Sequence, residues 1–176
     1  EQLFDYQIQQ ALVEAKGFDL LVMGRPEGAG CYCAANNIIR KYMDKLADNY
    51  PYTVMDNEAG LEHLSRRTTQ DTDLLLIVSD SSVRGVMTAG RIGELVKELN
   101  LNVKRVVLIV NRVQDGTSRD PSLLHAIEQQ GVEFAGFVPS DELIFEYDLN
   151  GKPLVQLPSD SKALTSFFAV LDKLIP

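Results

Sequence analysis

Basic residues are scarce in this chain: 17 lysines and arginines stand against 25 aspartates and glutamates, for a net charge of −8. A nucleic-acid partner needs a basic face that releases counterions, so this balance speaks against one. Long apolar runs are missing too. No stretch approaches the roughly 20 residues that cross a bilayer, so no membrane role is expected. No basic segment followed by an apolar core opens the chain, and no secretory signal is visible. Glu1 stands where an initiating methionine would, as in a processed, cut or trimmed product. Cysteine is almost absent. Cys31 and Cys33 are the only two, with Tyr32 alone between them. So short a ring strains a disulfide away from its preferred geometry. The expectation is a reducing, cytoplasmic setting with free or metal-bound thiols.

What is present is ordinary for a globular protein: 176 residues, 45% apolar and 24% charged. That suits a single domain over residues 1–176 with a well-buried core. Short Val-, Leu- and Ile-rich runs at 18–23, 52–56, 73–79, 104–110 and 132–138 read as strands covered on both faces. Helical patterns fall at 4–15, 34–48, 82–99, 121–130 and 161–174. Asp120 before Pro121 reads as a helix start, and Gly17 as the stop of the first helix. Strands alternating with helices predict an α/β fold, a mainly parallel sheet flanked by helices. No repeat, linker or low-complexity segment interrupts it. In such sheets ligands bind beyond the carboxyl ends of the strands. The chemistry is therefore expected in five turns: Gly24 to Cys33, Asp56 to Gly60, Ser79 to Ser82, Asn111-Arg112 and Pro139-Ser140-Asp141.

Cys31 and Cys33 sit in a glycine-rich loop, and two thiolates one residue apart reach one soft metal ion but fill only half a tetrahedral shell. A second copy of the chain is the simplest source of the other half, which predicts a homodimer with metal at its interface. The plainer alternative is a pair of inert loop cysteines. An apolar strand ending in Asp56, then a turn carrying Gly60, has the form of a Walker B and switch II segment. A carboxylate there holds the water shell of Mg²⁺, and glycine lets the backbone approach a γ-phosphate. A strand-ending aspartate in a turn is the plainer alternative. The phosphate-binding string G-x-x-x-x-G-K-[ST] does not occur, since the one Gly-Lys pair, Gly151-Lys152, runs into Pro153. Triphosphate binding is accordingly expected to be weak, and hydrolysis by this chain absent.

Asn111 carries donors and an acceptor able to read the edge of adenine, or simply closes a strand. The turn Pro139-Ser140-Asp141 lines the same base, or places a helix N-cap at Ser140 or Asp141. His63 and His125 share no motif and read as surface or hydrogen-bonded histidines. Arg66-Arg67 reads as a solvated helix end.

The string from Phe18 to Gly28, the Cys31-Tyr32-Cys33 triplet and the run from Asp56 through His63 to Arg67 together resemble the CooC family. These are carbon monoxide dehydrogenase maturation ATPases, relatives of the septum-site and partition ATPases of the MinD/ParA group. The resemblance implies a P-loop NTPase-like fold of the SIMIBI class, here truncated at the N-terminus, where that family carries its Walker A. It implies ATP-dependent nickel insertion coupled to dimerisation, with carbon monoxide dehydrogenase as partner. Cys31 and Cys33 would bind zinc or nickel between subunits. Asp56 would be the switch II aspartate and Gly60 the γ-phosphate-sensing glycine, with ATP and Mg²⁺ as cofactors of the intact parent. Asn111 would read adenine with Arg112 next to it, and Pro139 and Asp141 would lie in the loop beside the base. Two further readings stand beside it. One is a non-enzymatic metal-binding dimerisation module, favoured by the missing Walker A. The other is a partition-type ATPase, against which the acidic balance and the CxC loop speak.

Overall fold

The computed structural model describes residues 6, 10–22, 49–57 and 72–175. The chain divides into two compact units, Glu1–Thr68 and Thr69–Pro176. In the first, β1 (Leu12–Ala15) and β2 (Phe18–Leu21) form an antiparallel hairpin, with Leu12 opposite Leu21 and Val13 opposite Leu20. Gly17 sits in the two-residue turn at φ +93°, a region that a Cβ makes costly. The expected helix over 4–15 therefore does not reach its end, and Gly17 turns a hairpin instead of stopping a helix. Apolar cross-strand pairs override a modest helix propensity here.

The strand expected over 52–56 does not form either. Residues 52–57 lie outside helix and strand and are exposed, Val54 at 89%. An apolar run gains from a parallel sheet only when both faces are covered, and this one buries almost nothing. The helix expected over 34–48 and the glycine-rich loop over 24–33 fall outside the described residues.

The second unit follows the expected alternation. It runs β3 (Thr72–Ser79), α1 (Val83–Glu98), β4 (Val103–Val113), α2 (Pro121–Gln129), β5 (Glu133–Pro139), α3 (Glu142–Leu149) and α4 (Lys162–Leu174). The strands make a parallel sheet in the order β3-β4-β5. Helices cover both faces. Ile77, Leu108 and Val110 pack with Val86 and Ala89 of α1 and with Leu123, Ala126 and Ile127 of α2. On the opposite face Ile109 and Val138 pack with Ala163 and Val170 of α4.

Local chemistry sets the helix starts. Ser82 caps α1 by accepting from the Gly85 amide at 3.0 Å. Asp120 caps α2 by accepting from the amides of Ser122 and Leu123 at 2.8 and 3.2 Å, with Pro121 in the first turn. Glycine inside α1 costs helix propensity, about 1 kcal/mol per residue. Close packing explains two of them: a Cβ on Gly90 would lie 2.0 Å from Oε1 of Gln130, and one on Gly93 2.7 Å from Cγ2 of Val132.

Leu108 is fully buried at the centre of the larger cluster. Leu108→Ala is expected to lower unfolding stability by about 3 kcal/mol, from lost burial plus the cavity left behind. Urea denaturation followed by circular dichroism measures it, and a shift of a few tenths would show that Leu108 is not central.

Candidate functional site

Parallel strands bring their carboxyl ends to one edge, and the register fixes what meets there. Ser79 pairs with Val110, Val110 with Phe137, and Val113 with Pro139. The tips of the three strands thus juxtapose Asp80, Asn111-Arg112 and the turn Pro139-Ser140-Asp141.

Between the last two pairs β4 advances three residues while β5 advances two, so β4 carries an extra residue. The side chains register the same slip. Leu108 and Val110 enter the larger core cluster and Ile109 the smaller one, as alternation requires. Val113 should then face the smaller cluster, yet it enters the larger. The bulge at Asn111-Arg112 resets the alternation. Arg112 has φ +56°, a left-handed conformation that costs a side-chain-bearing residue about 1 kcal/mol. Bulges of this kind re-aim side chains at the rims of sheets.

The Asn111 amide folds back so that its Oδ1 accepts from the Arg112 backbone N–H at 2.8 Å. A backbone N–H only donates, which identifies the oxygen. Nδ2 is then a donor without a partner among the described residues. Beyond the bulge the Ser140 amide donates to the Val113 carbonyl at 2.9 Å, tying the turn after β5 to β4.

Asp141 is 9% exposed. Its Oδ1 accepts from the Leu143 amide at 3.0 Å and caps α3. Its Oδ2 accepts from Ser161 Oγ at 2.7 Å and from the Ala163 amide at 3.2 Å, at the start of α4. The Ser161 hydroxyl hydrogen bond, with the Ala163 and Leu143 amides and the charge of Lys162 adding to it, lowers the Asp141 pKa against the opposing effect of burial. Asp80 is set in a similar way. Its Oδ1 accepts from Ser82 Oγ at 2.6 Å and the Ser82 amide at 2.9 Å, and the hydroxyl first and the amide second lower its pKa. Gly85 makes room for this turn, since a Cβ there would lie 2.3 Å from Asp80 Oδ1.

No family model matches the sequence. An ATP-binding protein of Methanocaldococcus jannaschii, itself uncharacterized, is 42% identical over 168 residues, which are 96% of this chain and 66% of that protein. The carbon monoxide dehydrogenase accessory protein CooC of Rhodospirillum rubrum is 32% identical over 108 residues, 60% of this chain and 40% of that protein. Among solved structures, the MinD cell division protein of Aquifex aeolicus superposes with a TM-score of 0.71 at 21% identity, covering 96% of this chain and 69% of that one. The homologues of this chain are ATP-binding, MinD/ParA-like proteins. The fold is that of the MinD/ParA P-loop NTPases. The chain spans just under two thirds of the Methanocaldococcus relative.

Within this MinD/ParA-like fold, four residues expected at the nucleotide share one edge: Asn111, Arg112, Pro139 and Asp141. Asp56 is exposed and belongs to the other unit. Cys31, Cys33, Gly60, His63, Arg66 and Arg67 lie outside the described residues, and His125 is an exposed residue of α2. Among the described residues no helix is long and apolar enough to cross a membrane. For the turn after β5, the plainer alternative holds at Asp141, which caps a helix. Asp80 lies in the Ser79 to Ser82 turn where chemistry is expected, without a role of its own, and Ser161 is a polar residue at this edge outside the expected turns. Asp80 had a signal, its place at a strand tip. Ser161 had only its place at a helix start, because its partner is 20 residues away.

The depressed carboxyl pKa values of Asp141 and Asp80 fix a pH response. Both lie below the ordinary 3.8 in the folded chain, so the unfolded chain binds more protons on acidification. The stability they contribute is complete above that ordinary value and is lost as pH falls through the folded values. Urea midpoints are expected to hold steady above about pH 5 and to drop as pH falls below 3.8, and Asp141→Asn to shrink the drop. An equal drop in parent and variant would remove Asp141 from the account.

Proposed function

We propose that this chain is part of an ATP-dependent accessory protein that supports nickel insertion into carbon monoxide dehydrogenase in a reducing, cytoplasmic setting. The bulge at Asn111-Arg112 carries the nucleotide half of this reading. An unpartnered Nδ2 donor beside an oxygen with a lone pair to spare is the complement of an adenine edge, which offers a ring-nitrogen acceptor and an amino donor. Arg112 follows Asn111 in the bulge, Pro139 pairs with Val113 just beyond it, and Asp141 holds the turn. ATP-binding relatives and the likeness to CooC support the same reading. Asp56 would hold the hydration shell of Mg²⁺, and Gly60 would meet the γ-phosphate.

The metal half rests on sequence. Cys31 and Cys33 of two protomers would supply four thiolates to one zinc ion, or to the nickel that is cargo. Dimerisation and metal capture would then share an interface. Purified chain is expected to bind about one zinc or nickel per two protomers. Cys31→Ser/Cys33→Ser should abolish that binding and leave a monomer by light scattering. Unchanged metal titration in the double variant would end the metal proposal.

A second reading, a metal-binding dimerisation module without nucleotide chemistry, rests on the Cys31-Tyr32-Cys33 triplet alone. Calorimetry separates the two. The first predicts weak, measurable binding of Mg·ATP that Asn111→Ala reduces about fivefold, the worth of one hydrogen bond, with no hydrolysis by this chain. No heat with Mg·ATP, while metal still binds, favours the module.

A further inference from the structure

Asp141 and Ser161 are buried polar groups, at 9% and 0% exposure, whose bonds all run to protein. One carboxylate here joins the first turns of two helices. Its Oδ1 takes the Leu143 amide of α3, and its Oδ2 takes the Ala163 amide of α4 and the Ser161 hydroxyl. The Ser161 oxygen in turn accepts from the Leu164 amide at 3.2 Å. Two helix N-termini make a favourable seat for one negative charge. An asparagine could not replace it, because its NH₂ would face donors on one side or the other.

Asp141 is also the last residue of the turn that Ser140 binds to Val113, just past the bulge. The turn is held from β4 on one side and from α4 on the other. We infer that Asp141 and Ser161 form a positioning pair for the nucleotide base, setting the Pro139–Asp141 turn against Asn111 without touching the ligand. The inference rests on the reading of this edge as an adenine site. It places the control of base selection partly at the start of α4.

The test compares two lost caps of like chemistry. Ser161→Ala removes the hydroxyl between Asp141 and α4, and Asp120→Ala removes the cap of α2, whose carboxylate bonds run to the Ser122 and Leu123 amides and not to the Pro139–Asp141 turn. Each is expected to lower the urea midpoint. Amide resonances of Arg112 and Ser140 in the ligand-free chain should move with Ser161→Ala and stay in place with Asp120→Ala. Calorimetry with Mg·ATP and Mg·GTP should show Ser161→Ala weakening ATP about fivefold and narrowing its preference over GTP, with Asp120→Ala leaving both unchanged. Ser161→Ala with unmoved resonances and an intact ATP preference overturns the positioning role, as does an equal effect from Asp120→Ala. Failure of the unsubstituted chain to bind Mg·ATP overturns the adenine reading itself, and the positioning role with it.

Discussion

A strand covered on both faces must satisfy every backbone group sideways, and β4 is that strand. Val107, Leu108, Ile109 and Val110 are each at most 1% exposed, so no water reaches their amides and carbonyls. Their partners are β3 on one side and β5 on the other, in a parallel register set by which residues face α1 and α2 and which face α4. A slip of one residue would exchange the two faces and bury the wrong set. The alignment of the strand tips, and with it the composition of the candidate site, follows from this one pairing.

The same requirement explains where strain collects. β4 keeps its side-chain alternation while it is buried, the extra residue opposite Leu108 and Ile109 falling on β5, and must release a polar side chain where it leaves the core. The extra residue at Asn111-Arg112 does both: it restores Val113 to the larger cluster and turns Asn111 out of the alternation. Its cost, a left-handed Arg112, is small beside the burial of four consecutive aliphatic side chains, each contributing roughly 2 kcal/mol. The strained conformation is therefore tolerated at the edge, the one place where it changes what the sheet displays.

Legibility in the sequence followed locality. The Asp120-Pro121 start, the three buried strands and the helices between them depend on signals within a few residues, and all stand close to where the sequence places them. Asn111, Arg112, Pro139 and Asp141 were legible as site candidates because carboxyl ends of parallel strands are a topological location. Residues 12–15 misled because a short apolar run has no intrinsic period: cross-strand pairing with Phe18–Leu21, invisible in one segment, decided between helix and hairpin. Residues 52–56 misled because a strand-like sequence becomes a strand only where neighbours cover it. The bulge and the Asp141–Ser161 contact were illegible for a deeper reason, since each is a relation between elements.

Electrostatics divides the labour along the site. The chain is acidic, and an anionic nucleotide approaching it meets unfavourable charge unless local groups compensate. Asp80 and Asp141 are carboxylates at the tips of β3 and β5, and both are bound to donors at helix starts. Those donors offset part of the two carboxylate charges, and Arg112 is a cation at the same edge. On the proposed reading such an edge suits a neutral base, held by an amide, better than a chain of phosphates. One arginine offsets little of a triphosphate's charge, so on that reading most of it would have to be met by groups outside this sheet edge. On that reading the second unit would contribute selectivity for the base more than affinity for the nucleotide.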